Sequence, residues 1–299
     1  MASLISDTLI TSIVWPSIIS LPLYLTHNDQ YKTLFDPNWY DTNPTDYWTN
    51  TRYPSPLGLS LGIGAVAVGH VFVLIYFCLR REGYLGALTS IQKQGPRKYD
   101  LLEGLITHLA QPEGFVLLTL YLTGTWMYGL MPSSYYSFSG KIDIVHVILQ
   151  LLLQDLFQYG MHGVEHQFSK INVQWYVNSH KPHHRFTNPR FFDAFNGSVP
   201  DTVLMILLPL YATALCVPAN VWSYMTFGAT YASWLTLIHA EYAHPWDGIF
   251  KSLGLGTAAD HHVHHKLYNY NYGHLFMYWD RVFGTYRDPA SVEVFNKGI

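Results

Sequence analysis

His261-His-Val-His-His265 and His180-Lys-Pro-His-His184 are two copies of the pattern H-x-x-H-H, and His162-Gly-Val-Glu-His166 precedes them in the chain. Residues three and four apart share one face of a helix, so each cluster can direct two or three imidazole nitrogens at one point. With 16 histidines in 299 residues, chance predicts roughly 0.05 copies of H-x-x-H-H by template counting. The repetition therefore predicts a metal site built from histidine.

The chain around these clusters is rich in apolar residues. Hydrophobic residues make up 49% and charged residues 12%, about half the usual charged share of a soluble domain. The net charge of −3 does not favour a nucleic-acid partner. Apolar runs that reach, or nearly reach, the roughly 20 helical residues needed to cross a hydrocarbon core lie at residues 8–25, 57–79, 114–132, 142–160, 199–217 and 219–240.

These runs predict an all-α, polytopic helical membrane protein. We expect about four to six spans, or two helical hairpins plus one further span, from the lengths of the runs. The third and fourth runs can also form one tight hairpin. Since the histidine clusters flank the spans, a cytoplasmic helical cap is expected to hold a histidine-rich two-metal site.

Basic residues orient the predicted spans. Lysine and arginine are more frequent in residues 80–113 than in residues 26–56, which makes 80–113 cytoplasmic by the positive-inside rule. Counting the spans onward from there places all three histidine clusters on the cytoplasmic side. The basic residues of the first segment are Arg80, Arg81, Lys93, Arg97 and Lys98, and those of the second are Lys32 and Arg52.

Nine histidines are candidate metal ligands, eight from the clusters and one, His239, from the end of the sixth apolar run. Catalytic zinc takes three protein ligands plus water, so eight or nine imidazoles without a thiolate exceed one zinc site. Two first-row metals that accept nitrogen ligands fit better, iron above all. Iron would suit the oxidation of an unactivated C–H or C=C bond in a lipid that enters laterally from the bilayer. The candidates are His162, His166, His180, His183, His184, His239, His261, His264 and His265.

Asp155 and the remaining histidines are expected to have other roles. Asp155 lies two helical turns before His162 and is expected to accept a hydrogen bond from a ligand imidazole, with an interfacial aspartate as the alternative. His244 is either a ligand or a helix-end histidine, and His262 is a solvated or supporting imidazole rather than a ligand. His70 and His146 lie inside spans, where neighbouring carbonyls can satisfy them. Loop or interfacial positions are predicted for His27, His108 and His274.

The three clusters resemble the histidine boxes of the fatty acid hydroxylase/sterol desaturase superfamily. The runs Lys266-Leu-Tyr-Asn-Tyr-Asn-Tyr-Gly273 and Tyr278-Trp-Asp-Arg-Val-Phe-Gly284 most resemble C-5 sterol desaturases. This resemblance covers about residues 142–290. It implies a membrane-anchoring region at 1–140, a fatty acid hydroxylase-like catalytic domain at 141–290 and a C-terminal tail at 291–299.

The resemblance also implies a chemistry. It predicts a non-haem di-iron centre held by the eight box histidines, dioxygen as co-substrate, a cytochrome b5-type or similar electron donor with its reductase, and an endoplasmic-reticulum membrane. The chain departs from the desaturase pattern after the second box, where Phe192-Asp-Ala-Phe-Asn-Gly-Ser198 replaces further histidines. Asp193 or Asn196 is expected to take over a ligand or supporting role there.

The predicted function is oxidation of a sterol or its isoprenoid precursor by desaturation, hydroxylation or epoxidation. Superfamily members with similar boxes also include squalene epoxidases and fatty acyl hydroxylases, which are the alternatives. A histidine-rich metal-binding or metal-transporting membrane protein is the alternative of another class. A transporter would place ligands in mid-bilayer on several spans, whereas these clusters flank the spans on one face.

Overall fold

The computed structural model of the chain is a bundle of α-helices. It describes residues 6–40, 57–96, 98–109, 111–297 and 299, and the β pairing within them consists of three isolated bridges. The helices are α1 Asp7–Ile18, α2 Ser20–Thr26, α3 Tyr31–Leu34, α4 Leu57–Arg81, α5 Leu101–Leu109, α6 Pro112–Met127, α7 Ile144–Ile171, α8 Val173–Asn178, α9 Val199–Cys216, α10 Val221–Leu237, α11 Asp247–Ser252, α12 Ala258–Leu267 and α13 Tyr278–Phe283.

Among the described residues, three helices, α4, α7 and α9, are long and apolar enough to cross a membrane. A fourth span is possible at the N-terminus, where Asp7–Ile18 and Ser20–Asp29 meet at an angle of 64°. Pro22 explains the bend, because its nitrogen cannot donate to the carbonyl of Ile18 and its ring crowds that carbonyl. The prediction of a helical membrane protein is confirmed.

The run at 219–240, predicted to be the sixth span, forms a helix of the protein core. α10 has 17 residues, of which thirteen are buried within the protein. An apolar run predicts that a helix is buried, but it does not indicate whether lipid or protein surrounds that helix. Here α4 and α7 pack along α10. The third run is also shorter than predicted, since α6 has 16 residues.

The orientation of the spans is still a prediction. Arg52 and Arg97, two of the basic residues used to orient them, lie outside the described residues. The division of the chain at residue 140 is a prediction as well.

α9 changes its winding beside the site. Residues Val203–Leu207 form a π-helical turn between two α-helical segments. Pro209 follows this turn and cannot supply the N–H that the α-helical ladder requires, which accounts for the local rewinding. α9 packs on α7, and α7 packs on α10, so these helices bring the two sides of the site together.

Candidate metal centre

The nine candidate histidines lie in two adjoining buried groups. Within each group the potential ligand atoms all lie within 4.8 Å of one another. The rings of His184 and His265, one from each group, are 5.1 Å apart, so the groups are neighbours. The first group is His162, His166, His180, His184 and His264, and the second is His183, His239, His261 and His265.

Helical spacing explains how the first and third clusters contribute. His162 and His166 lie one turn apart on α7 and both join the first group. On α12, His264 faces the first group while His261 and His265 face the second. Thr257 caps this helix, because its hydroxyl accepts from the backbone N–H of Asp260 and the Asp260 carboxylate accepts from the backbone N–H of Thr257.

The second cluster divides between the groups. His183–Arg185 forms a single 3₁₀ turn after Pro182. Adjacent residues in such a turn point in different directions. His184 therefore enters the first group and His183 the second.

His184 is the centre of the first group. Its Nε2 lies 2.8 Å from His180 Nε2, 3.0 Å from His264 Nε2 and 3.1 Å from His166 Nε2. Metal–nitrogen bonds of about 2.0–2.1 Å give N···N separations of roughly 2.9 Å at 90° and roughly 3.3 Å at the tetrahedral angle. The observed spacing matches ligands at right angles around one ion.

The contact between His162 and His180 is the clearest sign of a cation. His162 donates its Nδ1 proton to the Tyr272 carbonyl at 2.8 Å, and His180 donates its Nδ1 proton to Asp201 Oδ1 at 2.7 Å. In their neutral forms both rings therefore direct bare Nε2 lone pairs at each other, 3.1 Å apart. Two such lone pairs repel unless a cation lies between them, so the residues fit a metal.

Backbone carbonyls fix two further ligands in the same way. His264 donates from Nδ1 to the Tyr270 carbonyl at 2.8 Å, and His239 donates from Nδ1 to the Leu235 carbonyl at 2.7 Å. Each bond sets the tautomer and leaves Nε2 to face its group. The tyrosine-rich loop after α12 thus supports the centre through its main chain.

His183 in the 3₁₀ turn and His265 on α12 are held neutral. Burial lowers the pKa of His183 to about 4 and lowers the pKa of His265 well below its ordinary value. Neighbouring imidazoles add to the effect at His265. A neutral imidazole offers the lone pair that a metal ligand needs.

Asp155 has a different partner from the one predicted. Its carboxylate accepts the backbone N–H groups of His274, Leu275 and Phe276 at 2.8–3.0 Å. The Tyr272 carbonyl takes the place at His162 Nδ1 that was predicted for this acid. Asp155 lies on the predicted helical face, but the loop after α12 lies between it and the ligand, which helical periodicity cannot indicate.

Asp193 and Asn196 have side-chain partners other than a metal, but Asn196 supports a ligand through its main chain, since its backbone carbonyl accepts from His183. Asp193 pairs with the Arg190 guanidinium through both of its oxygens, and Asn196 accepts from the Arg185 guanidinium at 2.9 Å. These side chains are thus occupied by arginines, and neither belongs to a candidate ligand group within the described residues.

His244 and His262 are buried outside both groups. Tyr76 and the Leu237 carbonyl lie 2.8 and 2.9 Å from the two ring nitrogens of His244. His262 is fully buried rather than solvated, and the nearest acceptors are the carbonyls of His239 and Ala240. His262 projects from α12 away from the two groups, as its position outside the i, i+3, i+4 set implies.

Two acids and one histidine near the centre were not predicted to belong to it. Glu165 and Asp201 flank His180, whose Nδ1 is 3.3 Å from Glu165 and 2.7 Å from Asp201. Glu165 lies inside the first box, and Asp201 lies in the first turn of α9. Their positions in the sequence could therefore have suggested a role at the centre. His274, predicted to be a loop or interfacial residue, is buried beside both groups and has no spacing signal that could reveal it.

The surroundings of His70 and His108 also differ from those predicted from the sequence. Their Nε2 atoms are 2.8 Å apart and their rings are stacked at 4.9 Å, so His108 is a buried pairing partner rather than an interfacial residue. Phe195 contacts both rings. The histidine pair therefore supports one wall of the space beside the centre.

A pocket opens beside the two groups and continues into an apolar cavity. The pocket is lined in part by His180, His183, His239, His274 and Gln158. Aliphatic and aromatic side chains and glycines line most of the adjoining cavity. The two spaces share the lining residues Phe195, Thr202, Ile206 and Leu235.

Comparison with known proteins agrees with this geometry. The family model described as fatty acid hydroxylase matches residues 147–285. The alternative squalene epoxidase of Phaeodactylum tricornutum is 56% identical over 284 residues, which cover 93% of this chain and 80% of that protein. The chain belongs to the fatty acid hydroxylase family. The predicted superfamily is thereby confirmed, and the fatty acid hydroxylase match spans all three histidine clusters.

More distant relatives of this fatty acid hydroxylase family member are sterol enzymes. The Delta(7)-sterol 5(6)-desaturase of Leptosphaeria maculans is 32% identical over 52% of the chain, and the lathosterol oxidase of Rattus norvegicus is 31% identical over 50%. The chain spans less than half the length of each of these two proteins, 41% and 48%. No solved structure matches the chain. The relatives support an oxidoreductase of lipid metabolism.

Proposed function

We propose that this protein is a membrane di-iron oxygenase that epoxidises squalene. The two histidine groups would hold one iron each, with dioxygen as co-substrate and a cytochrome b5-type carrier and its reductase as electron source. The protein would work in the endoplasmic-reticulum membrane with its histidines on the cytoplasmic side. The reaction adds one oxygen atom of O2 to a C=C bond, and the other leaves as water with two electrons and two protons.

The observation that carries the proposal is the apolar cavity that continues into the histidine pocket. Hydroxyls of Thr202, Tyr224 and Tyr231 are the polar side-chain groups of its lining, and Tyr231 already donates to Gln158 at 3.1 Å. A buried polar group without a partner costs about 1–3 kcal/mol. Such a lining favours a hydrocarbon over a lipid with a charged headgroup, and squalene is a hydrocarbon.

The relatives support the same choice. The similarity to the alternative squalene epoxidase extends over 93% of the chain, whereas the similarity to the sterol desaturases extends over about half. The family model matches residues 147–285, which contain the histidine boxes and indicate shared oxidation chemistry. The epoxidase comparison, which covers 93% of the chain, also extends over α4, whose residues line part of the cavity, so substrate choice follows that relative.

A pair of irons at the two groups would supply the activation of dioxygen. The chain's own residues then have three tasks. The imidazoles bind the metals through Nε2, with Nδ1 protons held by carbonyls and by Asp201. The cavity positions one C=C bond of a long substrate at its histidine end. Phe195 and Leu235, shared by pocket and cavity, exclude water from the junction.

The test is product analysis with three substrates. Membranes that contain this protein, from a host whose own squalene epoxidase is absent, should convert squalene to its epoxide when supplied with O2, reduced carrier and iron. Lathosterol and a fatty acyl lipid are assayed in parallel. Desaturated lathosterol without epoxide, or a hydroxylated acyl chain without epoxide, would assign one of the alternative reactions. Iron binding with no oxidised lipid would favour a metal-binding role.

Blocking the cavity should reduce squalene turnover without removing metal. Gly62 on α4 lines the cavity, and a Cβ added there meets no atom within 4 Å. Gly62→Phe therefore places a ring in the space that the substrate would occupy. We expect kcat/KM for squalene to fall by about 10–200-fold, as for a misfit in an apolar pocket.

Gly124→Phe on α6 is the matched control. Gly124 also has open space around its Cβ position, and it does not line the cavity. This variant should keep its activity, and both variants should keep the iron content of the wild type. Equal activity of Gly62→Phe and the wild type would show that squalene does not use this cavity.

A further inference from the structure

The backbone at His274 is fixed from both sides. Its N–H donates to Asp155 Oδ1 at 2.9 Å, on the α7 side. On the other side the His274 carbonyl lies against Gly256, where a Cβ atom would come within 2.1 Å of the oxygen. Only glycine allows this approach, so the sequence holds the histidine in one place.

The His274 ring lies between the two ligand groups. Its centroid is 5.1 Å from His162 of the first group and 5.0 Å from His261 of the second. Ring separations inside the second group run from 4.2 Å, between His239 and His261, to 6.3 Å, between His183 and His261. His274 is therefore as close to His261 as the members of the second group are to one another, while its nitrogens lie outside the 4.8 Å sets of both groups.

The ring also has bonding capacity to spare. His274 is 4% exposed, and its buried Nδ1 has no hydrogen-bond partner among the described residues. His244, another buried histidine of this protein, has a partner at each ring nitrogen. An unpartnered buried nitrogen costs about 1–3 kcal/mol, which a bond to a metal ion would offset.

We propose that His274 is a tenth histidine of the centre and a ligand of the second group's metal. The first group has five histidines and the second has four, so His274 makes the two sets equal. His274 also lines the pocket beside the two groups, as do His183 and His239 of the second group. This inference rests on the proposed metal centre.

Anaerobic titration of the purified full-length protein with Fe²⁺ tests the assignment. Wild type should bind iron at two sites. In His274→Ala the second group's site should weaken by ~10-fold or more, the scale seen when support of a metal site is lost. The first site should keep its affinity, and only one of the two Mössbauer doublets should change. Added imidazole should restore the weakened site.

His244→Gln is the control, since it alters a buried histidine outside both groups, and it should bind like the wild type. Unchanged binding at both sites in His274→Ala would overturn the assignment. Equal loss at both sites, or loss that imidazole does not restore, would also overturn it in favour of a packing role. A wild type that binds no iron would instead refute the proposed function.

Discussion

Replacement of His184 by alanine is expected to abolish lipid oxidation and to release the metal of the first group. Its Nε2 lies within 3.1 Å of the Nε2 atoms of three other histidines of the group, so its loss opens the set at the centre. Loss of a supporting partner costs about 10–100-fold in metal affinity or activity, and loss of a ligand should exceed ~100-fold. Iron content and epoxide formation are measured on the same preparation.

His146→Ala is the control for this variant. His146 lies on α7 like two of the ligands, but its side chain is 44% exposed and pairs with Asp143 at 2.7 Å. It should keep both iron and activity. A His184→Ala protein that retains the first metal and most of its activity would show that the first group is not a metal site.

Replacement of Asp155 should cause the largest loss of stability. Its buried carboxylate accepts three backbone N–H groups of residues 274–276. Asp155→Ala leaves these donors unsatisfied at about 1–3 kcal/mol each, a large part of a typical 5–15 kcal/mol of stability. The loop that they belong to also carries the Tyr272 carbonyl that orients His162. Thermal unfolding in detergent should therefore begin at a much lower temperature.

Asp155→Asn tests whether the hydrogen bonds of the carboxylate, rather than the volume of the side chain, provide this stability. The carboxylate takes His274 and Leu275 on Oδ1 and Phe276 on Oδ2. The amide keeps one oxygen acceptor, so the two bonds on Oδ1 can persist while the third is lost. Its stability should lie between those of wild type and alanine. Equal stability of all three proteins would contradict the assigned role of Asp155.

The histidine groups were predictable because metal ligands need fixed spacing. His261, His264 and His265, at positions i, i+3 and i+4, lie on one α-helix, as their spacing predicts. His162 and His166 also lie on one α-helix. Sequence could not assign His264 to one group and its helix neighbours to the other. That division depends on where α7, α10 and the 3₁₀ turn of the second cluster meet around α12.

The supporting contacts were not predictable from side-chain type. Backbone carbonyls of Tyr270, Tyr272 and Leu235 hold three ligand histidines, and any residue could supply such a carbonyl. Asp155 was noticed for its helical face, but its partners are backbone groups over a hundred positions away in the chain. His274 could not be predicted because no other histidine stands three or four positions from it in the sequence. Contacts with residues distant in the chain, such as Asp155, bring it to the centre.

Span prediction failed where protein replaces lipid. The apolar run of α10 satisfies the length and hydropathy expected of a membrane helix only approximately, and α4 and α7 cover it. Periodicity and hydropathy measure the tendency to leave water, which is the same for both surroundings. The cavity beside α10 exists because helices of the protein, rather than lipid, surround that helix and form the walls of the cavity.

Iron content measured against epoxide formation tests the central claim most directly. Metal-free protein is reconstituted with increasing Fe²⁺, and activity with squalene is followed at each step. If the two histidine groups form a two-metal centre, activity should rise to its maximum at about two irons per chain. Full epoxidation by protein that contains no metal would contradict the account.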